Sequence, residues 1–107
     1  MVAVALKLIK PGSIPTVASA TPTENGWAPL TIVSGSQALQ NRPYLAVWEA
    51  QGLGAQTYLR PGSQLEDWKI GTATQAWKII QGREGWMHVW ASWPEPGAKF
   101  TLVLIPL

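Results

Sequence analysis

Lys99-Phe100-Thr101-Leu102-Val103-Leu104-Ile105 decides the fold class of this chain. Phe100, Leu102 and Leu104 alternate with Thr101, Val103 and Ile105. Successive side chains of a strand point to opposite faces. Both faces of this strand are therefore apolar, and both are expected to be covered. Near the other end, Val2, Val4, Leu6 and Leu8 alternate with smaller or charged residues in the same way. Between the two runs, strand patterns lie near 30–34, 44–50, 55–60, 65–70, 75–81 and 86–93. All are short and bounded by turn residues, the pattern of a sandwich or barrel. No window holds a 3.6-residue apolar period for three turns, and 10 Gly with 9 Pro leave little room for a long helix. The expected fold is all-β: one β-sandwich domain over residues 1–107, jelly-roll-like, with seven to nine short strands.

Three segments share one turn chemistry: Lys10-Pro11-Gly12-Ser13, Arg60-Pro61-Gly62-Ser63 and Glu95-Pro96-Gly97-Ala98. Proline presets φ at the second position and glycine accepts a positive φ at the third, as a type II turn requires. Gln51-Gly52-Leu53-Gly54 and Gln81-Gly82-Arg83-Glu84-Gly85 read as hairpin loops. Residues 11–29 are rich in Pro, Ser, Thr and Ala. Their prolines at 11, 15, 22 and 29 disfavour helix and central strand alike. An extended N-terminal arm or long loop is expected there, either on the surface or lying on a neighbouring subunit.

The composition excludes several function classes. With no cysteine there is neither a disulfide framework nor a thiolate metal site. The net charge of +2 comes from eight basic and six acidic residues. The basic ones are scattered and form no phosphate-binding stripe, so no nucleic-acid partner is expected. Ala18-Ser19-Ala20 imitates a signal-peptidase site, but Lys7, Lys10 and the following prolines break the apolar run that a signal needs. No stretch approaches the roughly 18 apolar residues of a membrane-spanning helix.

Catalysis finds no constellation. His88, the one histidine, shares a strand face with Trp86, Trp90 and Ser92, and no carboxylate lies on that face to orient it as a base. Glu66 and Asp67 are adjacent, so in a strand they point apart, and a paired-carboxylate hydrolase is not indicated. No Gly-x-Ser-x-Gly elbow occurs, and Gly52-x-Gly54 lacks the rest of a phosphate cradle. The expectation is no enzyme, no cofactor and no metal.

What remains is an excess of tryptophan: seven rings in 107 residues, with only 13% of residues charged. Each indole carries a large apolar area and an N–H that needs a partner. A domain of this size buries roughly 65% of its unfolded surface, too little to be expected to hide all seven. Trp48, Trp77 and Trp90 sit inside apolar runs and are expected in the core. Trp27, Trp68 and Trp93 lie beside turn residues and are the expected protein-interface rings. Trp86 fits either role.

The segments Tyr44-Leu45-Ala46-Val47-Trp48-Glu49-Ala50, Gln56-Thr57-Tyr58-Leu59-Arg60-Pro61-Gly62 and Gly85-Trp86-Met87-His88-Val89-Trp90-Ala91-Ser92, leading into the final strand, carry a resemblance. In cadence, residues 44–107 resemble the small β-sandwich structural proteins of tailed phage particles, of the capsid decoration (cement) type. The resemblance implies a non-enzymatic virion protein. It would form a homo-oligomer, often a trimer, and bind the major capsid protein or other virion subunits. It would be assembled in the host cytoplasm and reside in the virion. The alternatives are a carbohydrate- or receptor-binding sandwich that uses exposed tryptophans, and a tail or baseplate component.

Overall fold

The computed structural model describes residues 15–35, 40–60, 68–70 and 76–107. They form nine strands: β1 (Thr16–Ala20), β2 (Gly26–Pro29), β3 (Thr31–Ser34), β4 (Pro43–Gln51), β5 (Tyr58–Arg60), β6 (Trp68–Lys69), β7 (Ala76–Gln81), β8 (His88–Ala91) and β9 (Lys99–Pro106). There is no helix among the described residues. The strands make two antiparallel sheets, one in the order β3-β1-β9-β4-β7 and the other in the order β2-β8-β5-β6. The alternating run at 2–8 and the turn at 10–13 lie outside the described residues, as does most of the turn at 60–63.

Four of the pairings nest. β5 pairs with β6, β4 with β7, β2 with β8, and β1 with β9. Each pair encloses the one before it in the chain, as in a long two-stranded ribbon wrapped over itself. The pairings β4–β9 and β5–β8 join the turns of the ribbon. β3 adds an edge to β1, past an irregularity between Val17 and Ala18.

The two sheets share one core. Ala46, Trp48, Phe100, Leu102 and Leu104 contribute from the five-stranded sheet, and Leu59, Val89 and Ala91 from the four-stranded one. The alternation of β9 has its expected result: Phe100, Leu102 and Leu104 face this core, while Val103 and Ile105 are buried on the opposite face with Val47. The Glu95–Ala98 turn also forms as read. The Ala98 N–H donates to the Glu95 carbonyl at 2.9 Å, and Gly97 takes φ +81°.

Two sequence expectations change. In the segment 11–29, expected as an arm or loop, residues 16–20 and 26–29 are strands, joined by a short loop at 21–25. β1 lies between β3 and β9, and β2 pairs with β8. Pro15 and Pro22 stand outside β1 and do not interrupt it, and Pro29 ends an edge strand, a position where proline is tolerated. The second change concerns 51–54 and 81–85, which are not hairpin loops. Each carries the chain from one sheet to the other, from β4 to β5 and from β7 to β8. A turn signal marks the reversal but not the sheet that the next strand joins.

The β4–β5 crossover is pinned by Thr57, which is fully buried. Its Oγ1 donates to the Gly54 carbonyl (2.9 Å) and accepts the Ser92 N–H (3.3 Å). The Gly54 N–H donates to the Ser92 carbonyl at 2.6 Å. These bonds tie the crossover to Ser92, which follows β8 and precedes Trp93.

Candidate functional site

The tryptophans divide by strand face. Trp48 faces the core from β4 and is buried, with its Nε1–H unpaired. Trp68 on β6 is half-buried and packs against the same core. The Lys78 ammonium of the other sheet lies 5.2 Å from its ring centroid. Of the three rings expected at an interface, Trp68 thus serves the contact between the two sheets. Trp27 and Trp93 are exposed.

Trp77 and Trp90, expected in the core, are not there. Trp77 opposes Val47, on the face of the five-stranded sheet turned away from the shared core. In the run Trp77-Lys78-Ile79-Ile80 only Ile80 is buried. Apolar residues adjacent in sequence do not share a face, and among the described residues β7 has a neighbour on one side only. Trp90 lies between two core residues, Val89 and Ala91, so alternation turns it outward. Four rings remain largely open to solvent: Trp27 at 40%, Trp86 at 60%, Trp77 at 64% and Trp93 at 77%.

The outer face of the four-stranded sheet carries two rows of side chains. Trp27, Trp90, Tyr58 and Lys69 stand opposite one another across β2, β8, β5 and β6. Pro29, His88 and Arg60 form the row beside it. The Trp27 and Trp90 rings meet edge to face, with centroids 5.4 Å apart and planes at 80°. The Arg60 guanidinium lies 4.0 Å from the Trp27 ring centroid. His88 is half-buried, and its Nδ1 donates to the Trp86 carbonyl at 3.2 Å. Among the described residues no carboxylate stands in either row. Glu66 and Asp67 lie outside the described residues. Among the described residues no three His, Cys, Asp or Glu side chains gather as a metal site.

Trp93 is the most unusual residue on the surface. Its φ is +44°, and no other non-glycine among the described residues has a positive φ. The left-handed region costs an L-residue roughly 1–2 kcal/mol, and a bulky residue there is a genuine outlier. The conformation is held by a hydrogen bond from the Trp93 N–H to Asn25 Oδ1 at 2.9 Å. The Asn25 contact comes from the residue before β2, so the fold fixes the backbone while leaving the ring in water.

The sequence did not indicate the open pair Trp77 and Ile79, the Arg60–Trp27 contact or the Asn25 clamp. Only the first had a local signal: Trp77 and Ile79 are two residues apart, with Lys78 between them, so both occupy one face of any strand there. Comparison of the chain with protein-family models, curated proteins and solved structures found no match.

Proposed function

We propose that the two sheets form a jelly-roll sandwich and that the chain is a non-enzymatic structural subunit. In this reading it is a capsid decoration protein of a virion, which associates with copies of itself and with neighbouring shell subunits. The nested pairings support the jelly roll: with β3 set aside, eight strands remain in two four-strand layers. Trp93 carries the assembly reading. An exposed indole held in a costly backbone conformation gains little in the isolated chain to offset that cost, and strain of this kind concentrates where a protein meets its ligand or partner. Aromatic anchors of this type dominate protein–protein contacts.

The distribution of the open rings separates this reading from a sugar-binding module. Trp27 belongs to the four-stranded sheet, Trp86 to the connection before β8, Trp77 to the far face of the five-stranded sheet, and Trp93 to the connection after β8. A subunit touched on several sides needs rings on several sides, whereas a glycan site needs a flat platform. The crossed planes of Trp27 and Trp90, with Arg60 already on the first ring, leave no such platform there.

The reading is tested by mass and by sedimentation. Light scattering should give a defined multiple of the 11.6 kDa chain. In its native source the chain should sediment with particles, and Trp93→Ala should release it. A monomer at every concentration, absent from the particle fraction, would refute the proposal.

A further inference from the structure

An open sheet edge presents unpaired N–H and C=O groups, and proteins blunt such edges with short strands, proline, bulges or charge. Three of the four edges here are blunted. β6 has two residues, β2 ends in Pro29, and β3 has four residues beside an irregular register. β7 is different. It has six residues in unbroken register with β4, from Pro43↔Gln81 to Trp48↔Ala76. Among the described residues no strand lies on its far side. Its outward side chains are Trp77 and Ile79, 64% and 59% exposed. Its one charge, Lys78, is on the other face, with its ammonium 5.2 Å from the Trp68 ring centroid, and so does not guard the edge.

We propose that β7 pairs antiparallel with β7 of a second copy about a two-fold axis, joining two five-stranded sheets into one of ten strands. The inference rests on the assembly reading above and names the edge it uses. A two-fold makes the contact self-complementary: the donors and acceptors of one edge meet those of the other. The face that becomes continuous carries Trp77 and Ile79 beside Val47 and Leu45, with Glu49 next along β4 on that face. Aromatic and β-branched side chains opposite one another across strands add to the pairing. One edge strand is a small contact next to the roughly 1,200–2,000 Å² of a stable specific interface. The dimer is therefore weak alone and strengthened within a larger assembly.

The absence of cysteine in the natural chain makes the test direct. Single cysteines are placed in turn at residues 76 to 80, with Val33→Cys on the β3 edge as a control, and each protein is oxidised mildly. On a two-fold, one residue of β7 faces its own copy at a Cα separation of about 4.5–5.5 Å, within disulfide range. Its neighbours in the strand are displaced from their copies and out of range. The expected result is a disulfide dimer that peaks sharply at one of the five positions, well above Val33→Cys. Ile79→Lys, a change at an exposed site, should weaken self-association at least tenfold while leaving the melting curve in place. An oligomer by light scattering with no peak along 76–80 overturns the edge assignment and leaves the assembly reading standing. A strict monomer overturns both.

Discussion

Replacing Trp93 by glycine separates folding from assembly. Glycine removes the left-handed penalty, a gain of roughly 1–2 kcal/mol. It loosens the unfolded chain, a loss of about 0.4–1 kcal/mol. It also gives up the part of the ring that is covered. With the residue 77% exposed and a tryptophan offering about 150–250 Å², about 50 Å² is lost. At roughly 25 cal/mol per Å² this is near 1.2 kcal/mol, an upper estimate. The three effects nearly cancel, and the isolated chain should stay within about 1 kcal/mol of the parent. Truncating a buried tryptophan costs about 3–5 kcal/mol by contrast. At an interface hot spot the loss is about 2 kcal/mol or more, near thirtyfold in affinity. Urea unfolding at low concentration and light scattering across a dilution series measure the two quantities. A stability loss beyond about 2 kcal/mol, or unchanged association, would refute the assignment of Trp93 to assembly.

Further outcomes follow from the packing. Thr57→Val should destabilise by about 2–4 kcal/mol, because it removes two hydrogen bonds, one to the Gly54 carbonyl and one from the Ser92 N–H; Thr57→Ser should stay close to the parent in the same urea titration. Trp27→Ala should cost about 2 kcal/mol of stability through its contacts with Trp90 and Arg60, which makes it a poorer probe of assembly than Trp93. Gly82→Ala should lower the melting temperature strongly, since an added Cβ would lie 2.6 Å from both the Gln40 carbonyl oxygen and a Tyr44 ring carbon. Gly97→Ala meets no atom within 4 Å and should lose only about 1–2 kcal/mol of backbone strain; thermal melts of the two variants should rank in that order.

How much was legible depended on how local the signal was. The double apolar face of β9 and the Pro96-Gly97 turn are written in consecutive residues, and both appear as read. The position of β4 is likewise clear from Tyr44 to Ala50. What lies beside a strand is not written in it. Trp77 resembles a core residue until β7 is known to be an edge, and Trp90 until Val89 and Ala91 are known to fill the inner face. Pro15 and Pro22 gave 11–29 the composition of a loop, yet they bracket a strand whose small residues Ala18 and Ala20 fit the core. In sequence, Trp93 stands out by its place beside Pro94. Its strained backbone depends on Asn25, 68 residues away, and no local reading reaches that far.

The place of β9 bears on how the protein is made. It lies at the centre of the five-stranded sheet, between β1 and β4, yet follows the other eight described strands. A ribosome emits roughly 5–20 residues per second, so β1 and the β4–β7 pair emerge seconds before the strand that joins them. During that interval the nascent polypeptide carries two unsealed half-sheets, which β9 joins once it clears the exit tunnel. Slow codons between β7 and β9 would lengthen this vulnerable stage, and a chaperone that shields the earlier strands would lessen its consequences.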